Sequence, residues 1–300
     1  MTVSSELIAR DCLARVPQAL LCGPQESLSI SPLNQGLGNT VFAISQGDKP
    51  PKQVLRLLNQ NLALINRHNE ALVWQRCADI GIAPALLFWS HEHQFCVTDY
   101  VCQQTPFVLD IEALSRLLVR LHALPALPTT SYSYQHRVEY YWNNLTEKSH
   151  AQWLTALKPY ITQIPNIVSS IEQSKLPSCV CHHDLTPENI LIGNDRMQLI
   201  DFEYADQGHP LFDLASATDA LDSYNSDLLW RHYAAQRGIS TSNRNEQLAW
   251  QSAQTLYTLL SLLWVLSEQV VHYRCEQRAS TLNLLAKRYM QRLSNNDFSL

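Results

Sequence analysis

The sequence predicts an α+β fold in two lobes, an antiparallel-sheet N-terminal lobe over residues 1–104 and a mainly helical C-terminal lobe over residues 105–300. Three observations predict it. Five short runs rich in aliphatic and aromatic residues, at 28–33, 41–44, 53–58, 81–89 and 95–101, follow one another before residue 104, with one helical period between the third and fourth. After residue 104, apolar residues recur at helical spacing in almost every segment. The exception is a stretch around residues 179–203, where two apolar runs flank a polar turn and most of the chemistry-bearing side chains gather.

Composition bounds the class. A chain of 300 residues that is 46% hydrophobic has ample material for a packed core. The net charge is −5 and the pI about 6.1, and no Lys/Arg stripe is present, which argues against a nucleic-acid partner. The first six residues lack the basic start and apolar core of a signal peptide, and the longest apolar region, 256–271, is interrupted by Thr258, Ser261, Ser267, Glu268 and Gln269. Eight cysteines at irregular spacing read as reduced core thiols. The expectation is a cytoplasmic protein with no membrane association and no obligate protein partner.

Taken in order, residues 5–21 place Leu7, Ile8, Cys12, Leu13, Val16 and Leu20 at a helical period that stops before Gly23-Pro24. The first two strands flank a turn holding Gly36 and Gly38 ahead of Asn39. Glycine lets backbone N–H groups approach phosphate oxygens closely, although most such turns are plain hairpins. In the third strand Arg56 interrupts the apolar residues, and a charge in mid-strand ordinarily faces solvent. The helix at 66–77 carries Glu70 three residues after Arg67, the spacing of an intrahelical pair. Residues 111–124 form an amphipathic helix through Ile111, Leu114, Leu117, Leu118, Leu121 and Leu124, with His122 read as a packed or capping residue. An aromatic-rich helical region runs from Val138 to about residue 173, and helices at 224–237, 246–268 and 271–293 complete the second lobe.

Residues 181–192 read Cys-His-His-Asp-Leu-Thr-Pro-Glu-Asn-Ile-Leu-Ile, and residues 199–203 read Leu-Ile-Asp-Phe-Glu. This is a loop, a hairpin and an acid. Phosphoryl transfer needs a carboxylate to orient the acceptor hydroxyl and oxygen ligands to hold Mg²⁺ against the phosphates of ATP. Asp184 has the place of the first, while Asn189 and Asp201 are hard oxygen donors that the hairpin returns toward each other. Cys179, Cys181, His182 and His183 also offer four soft-metal ligands within five residues, but they are too adjacent to wrap one tetrahedral ion without a second cluster elsewhere.

On these residues the sequence resembles the kinase-like phosphotransferases, the superfamily of choline and ethanolamine kinases, thiamine kinase and aminoglycoside phosphotransferases. His182-His183-Asp184 stands where protein kinases have His-Arg-Asp, and Asp201-Phe202-Glu203-Tyr204 looks like the small-molecule branch. The run Phe212-Asp213-Leu214-Ala215 matches as well. The resemblance implies a protein-kinase-like fold, ATP and Mg²⁺ as cofactors, Asp184 as the catalytic residue, and Asn189 and Asp201 as metal ligands. It implies that Gly36, Gly38 and Asn39 cover the nucleotide and that Arg56, held by Glu70, clamps its phosphates. It further implies that backbone groups near Asp99 and Val101 read adenine in a hinge over 99–104. His182 and Asp213 become structural support.

For the acceptor, a small cationic alcohol is best held by aromatic faces and a carboxylate. Glu203, Tyr204 and Trp264 are the candidates, with Tyr257 nearby in type. Residues 261–266 resemble the choline kinase helix that carries two tryptophans three apart; Trp264 matches and Ser261 stands in its partner's place. The expectation is therefore ATP- and Mg-dependent phosphorylation of a choline- or ethanolamine-like hydroxyl. Thiamine kinase and aminoglycoside phosphotransferase are the alternatives within the superfamily. A non-catalytic nucleotide-binding module and a zinc-binding interaction protein are the alternatives from other classes.

Overall fold

In a computed structural model the chain is described over residues 3–35, 39–60, 63–105, 108–130, 132–145, 147–193, 196–219, 221–272 and 276–295. Gly36 and Gly38 lie outside the described residues. The chain divides into two units, one comprising residues up to Leu121 together with Pro187–Ala205, the other His122–Thr186 together with residues from Asp206 onward.

The first unit is built on five antiparallel strands, β1 (Leu28–Gln35), β2 (Thr40–Gln46), β3 (Gln53–Leu57), β4 (Leu86–Trp89) and β5 (Phe95–Asp99), in the order β1-β2-β3-β5-β4. Pro32, which has no N–H to give a ladder, sits on the edge strand β1 where the register shifts. Alternation sorts the side chains of the central strands. Phe42, Ile44, Leu55, Phe95 and Val97 pack with Ala9, Cys12, Leu13 and Val16, on and just beyond helix α1 (Val3–Ala14), into one core. Each of the larger side chains contributes about 1.5–3 kcal/mol by burial. Arg56 follows Leu55 and therefore points to the opposite side, in register with Val41 and Cys96.

Helix α2 (Arg67–Asp79) connects β3 to β4. Its N-cap is Asn66, whose side chain accepts the Asn69 N–H at 3.2 Å and so satisfies one donor of the open first turn. Helix α3 (Ile111–Leu121) also belongs to this unit and lies against strand β8 (Arg196–Leu199), the second arm of the hairpin begun by β7 (Ile190–Gly193). Two further hydrogen bonds fix the hairpin. Leu199 N–H donates to the Ile82 carbonyl at 2.8 Å, and Gln104 N–H donates to the Ile192 carbonyl at 2.7 Å. Gly193 is needed at the hairpin turn, because a Cβ there would stand 2.5 Å from the Cys102 carbonyl oxygen.

The second unit is mainly helical: α4 (Tyr134–Asn143), α5 (Glu147–Thr162), α6 (Ile164–Glu172), α7 (Pro210–Ala217), α8 (Ser223–Gln236), α9 (Arg244–His272) and α10 (Glu276–Asn295). The helical region expected over 138–173 is three helices, with Asn144 closing α4 and a proline in the first turn of α6. Helix α9 packs against α4, α6, α7 and α10, and its middle stretch is accordingly apolar, burying Leu256, Leu259, Leu262, Leu263, Val265 and Leu266. A short ladder pairs β6 (Cys179–Cys181) with β9 (Asp206–Gly208), antiparallel, with Cys181 opposite Asp206. Among the described residues no helix is long and apolar enough to cross a membrane.

Candidate active site

The residues singled out above fall into two groups, one in each unit. In the first unit Arg56 is buried, and its guanidinium pairs with the Asp201 carboxylate and lies 5.7 Å from the centre of the Trp74 ring. Burial alone would lower its pKa, but the charges of Asp201, Glu70 and Glu203 outweigh this and raise it, so the cation is permanent. Asn189 is buried at the start of β7, and its carbonyl accepts the Ile200 N–H at 3.0 Å. Asn189 and Asp201 are thereby anchored at the same end of the hairpin. Asp201 has φ +66°, in the left-handed region that costs a side-chain-bearing residue energy but that Asp tolerates better than most.

Glu70 does not form the expected pair with Arg56. Its carboxylate is bonded by Arg67, three residues earlier on the first turn of α2, while Arg56 is taken by Asp201. The physical reason is proximity on both sides: the i, i+3 spacing puts Arg67 beside Glu70, and the hairpin puts a carboxylate beside Arg56. Arg56 still senses Glu70 through its charge. Burial raises the Glu70 pKa against the pull of Arg56 and Arg67. Among the described residues, Glu70 Oε1 and Arg56 Nε are buried with no hydrogen-bond partner.

Glu203 is also in this group. Its Oε2 accepts a hydrogen bond from Asn39 Nδ2 at 2.9 Å, and Asn39 Oδ1 accepts the Asn59 N–H at 2.9 Å. Burial first, and Asp201 second, push the Glu203 carboxyl up to about 7, against Arg56 and the Asn39 bond. Asn39 and Glu203, assigned from sequence to nucleotide and acceptor respectively, are thus directly bonded. Tyr204 follows at a half-buried position. Asp99 ends β5, with its N–H bonded to the Ala85 carbonyl at 3.0 Å, and Val101 packs where a Cβ on Gly193 would meet it.

In the second unit the loop after β6 carries His182, His183 and Asp184. Asp213, fully buried in the first turn of α7, accepts the His182 N–H on Oδ2 and the His183 N–H on Oδ1, both at 2.7 Å. His122 Nε2 reaches the same carboxylate at 3.1 Å. Burial would raise the Asp213 pKa, but the His122 hydrogen bond and the neighbouring imidazoles win and hold it below the usual carboxylate value. Asp184 N–H donates to His182 Nδ1 at 3.3 Å, and Leu185 N–H donates to Ser216 Oγ at 2.7 Å. Four successive N–H groups are therefore held by α7 or by the loop itself.

His183 has φ +66°, and its ring is stacked on Tyr132 at 3.7 Å between centroids. Gly208 makes room for it, since a Cβ there would fall 2.2 Å from His183 Nε2. Tyr257 on α9 is buried 5.8 Å from the Phe212 ring and feels the charges of Asp219 and Asp184. Trp264, further along α9, is half-buried. The Tyr132–His183 stack and the Gly208 contact were not visible in the sequence, where each of these residues stands alone without a periodic partner.

The model of the phosphotransferase enzyme family matches residues 29–250, most of the chain and all of the residues just described except Tyr257 and Trp264. The chain belongs to the phosphotransferase enzyme family. This is a family of small-molecule kinases. Among curated proteins, Protein LicA of Haemophilus influenzae is 41% identical over 58 residues, 19% of this chain and 22% of LicA, so the match spans about a fifth of that relative's length. Among solved structures, a choline/ethanolamine kinase family protein from Mesorhizobium loti superposes with a TM-score of 0.67 at 22% identity, covering 97% of this chain and 99% of that one. LicA in complex with AMP superposes with a TM-score of 0.72 at 16% identity, covering 99% of this chain and 100% of that one. The fold of this phosphotransferase family member is accordingly the protein-kinase-like α+β fold.

Proposed function

We propose that this protein transfers the γ-phosphoryl group of ATP to the hydroxyl of a small cationic alcohol, choline- or ethanolamine-like. The observation that carries the reading is the Asp184 loop, whose backbone is pinned by Asp213 and Ser216 within the region matched by the phosphotransferase family. A carboxylate held this way orients an acceptor hydroxyl and accepts its proton late in the transfer, as the bond from the acceptor oxygen to γ-phosphorus forms and the bond to the β,γ-bridging oxygen breaks.

Asn189 and Asp201 are the residues assigned to Mg²⁺, and the donor set fits: one amide and one carboxylate oxygen, both hard, anchored at one hairpin end. The ion, when bound, neutralises charge developing on the phosphates. Arg56, permanently charged, is assigned to the α- and β-phosphates, with the Arg67–Glu70 pair tuning the field around it. Gly36, Gly38 and Asn39 are assigned to the turn that covers the nucleotide, and the backbone at Asp99 and Val101 to adenine. LicA bound to AMP supports a nucleotide in this fold. Trp264 and Tyr204 offer ring faces to a quaternary or primary ammonium, with Glu203 as the carboxylate. His182 and Asp213 act through the backbone of the loop. A cytoplasmic setting without a nucleic-acid or membrane partner suits such a reaction.

The test is Mg·ATP consumption by purified protein against choline, ethanolamine, thiamine and kanamycin. Turnover with choline or ethanolamine is expected. Turnover only with thiamine or only with kanamycin moves the acceptor assignment, and ATP binding without turnover on any of them favours a non-catalytic nucleotide-binding module.

A further inference from the structure

Cys179 and Cys181 alternate with Val180 on β6, so their side chains leave the strand on one face. Their Sγ atoms stand 3.7 Å apart. A ligand nitrogen of His122 lies within 4.8 Å of both, and all three residues are buried. Two thiolates on one tetrahedral zinc, each at about 2.3 Å, are about 3.8 Å apart, so the observed separation is the one such an ion needs.

The surroundings suit a ligating imidazole. Tyr233 hydroxyl is 2.8 Å from His122 Nδ1, and the Asp213 carboxylate is 3.1 Å from Nε2. Ligation through Nδ1 displaces the Tyr233 hydroxyl and leaves Nε2 on Asp213, the hydrogen bond that fixes the ring and the support that metal-binding histidines require. His182 and His183 take no part: His182 Nδ1 accepts the Asp184 N–H, and the His183 ring is stacked on Tyr132. The short run of soft ligands at 179–183 lacked a partner from elsewhere in the chain, and the fold supplies it in His122.

We infer that Cys179, Cys181 and His122 form a binding site for a soft divalent cation, zinc in class, immediately upstream of the Asp184 loop. Binding exchanges the two thiol protons, released to solvent, for the cation; His122 binds as the neutral imidazole, and the fourth position falls to water or to the Tyr233 hydroxyl. No oxidation state changes. Because Asp213 bonds both His122 and the loop N–H groups, occupancy is transmitted to the loop.

The inference is independent of the phosphotransfer reading, and its test has a spectroscopic readout. Reduced, metal-free full-length protein is titrated with Co²⁺. One equivalent is expected to give intense tetrahedral d–d bands and a sulfur-to-cobalt charge-transfer band, both removed by an equivalent of zinc. Cys179→Ser and Cys181→Ser lose these bands, whereas Cys22→Ser keeps them. In case a serine variant does not fold, zinc is expected to protect Cys179 and Cys181 of the unaltered protein from alkylation, read peptide by peptide. Absence of the tetrahedral bands in the unaltered protein, their survival in both serine variants, or unprotected Cys179 and Cys181 would overturn the site.

Discussion

Asp213 holds His183 in place: its Oδ1 accepts the His183 N–H at 2.7 Å while His183 occupies the left-handed region at φ +66°. A residue with a side chain pays roughly 1–3 kcal/mol for such a conformation, and here one buried carboxylate, bonded to two successive N–H groups, sustains it. Asp184 is the next residue, so its direction is set from the first turn of α7. Asp213→Asn, which keeps the shape but removes the charge, is expected to cost about 1.5–3 kcal/mol. It is also expected to lower kcat far more than it raises the KM for ATP. Steady-state kinetics beside urea denaturation check this, and a normal kcat would show that the loop is oriented by something else.

Gly208 bears on the same geometry from the other side. A Cβ at 2.2 Å from His183 Nε2 cannot be accommodated, and the ring is confined by its stack on Tyr132. Gly208→Ala is expected to lose about 1–3 kcal/mol by overpacking and to reduce turnover in step. Retention of both stability and turnover would mean that the ring has room to move.

The Arg67–Glu70 pair makes a prediction that separates it from the pairing expected in sequence. Glu70 is fully buried, so Arg67→Ala leaves a carboxylate without its hydrogen-bond donor and is expected to cost about 3–5 kcal/mol. Adding Glu70→Gln recovers part of that loss. An Arg67→Ala change within about 0.5 kcal/mol, the range of an ordinary surface substitution, would return Glu70 to Arg56.

His209 gives the fold a pH dependence. Its side chain caps α7 by accepting the Leu211 N–H at 3.3 Å, and Nε2 lies 3.2 Å from the Leu176 carbonyl. Burial, only partly offset by that carbonyl, lowers its pKa to about 4. The unfolded chain therefore takes up the proton first as pH falls. The contribution of neutral His209 is present above about pH 6.5 and is lost as pH falls toward 4, by at most about 3 kcal/mol. His209→Asn, which retains a capping oxygen, is expected to flatten the urea midpoint between pH 7 and 4.5 relative to the unaltered protein. Equal slopes would assign the acid sensitivity to other groups.

The periodic elements were legible because each carries its own pattern. The apolar strands before residue 104, the helix from Ile111 and the long helices of the second unit follow from alternation and 3.6-residue spacing. What was not legible depends on contacts between distant residues. Strand order β3-β5-β4 is settled by pairing, and the β6–β9 ladder is three residues long, below any periodic window. Asn39 and Glu203 are 164 positions apart, and each looks unremarkable in its own segment. Glu70 had two arginines in prospect, and only the nearness of Asp201 to Arg56 decides between them. His122 read as a packed residue because the thiols beside it come from strand β6, distant in the sequence.

The measurement that bears most directly on the proposed chemistry is phosphoryl transfer by Asp184→Ala, with Mg·ATP affinity measured on the same sample by calorimetry. Loss of turnover on the accepted alcohol with Mg·ATP binding unchanged is the predicted result. Near-normal turnover by Asp184→Ala would contradict it and remove Asp184 from the reaction.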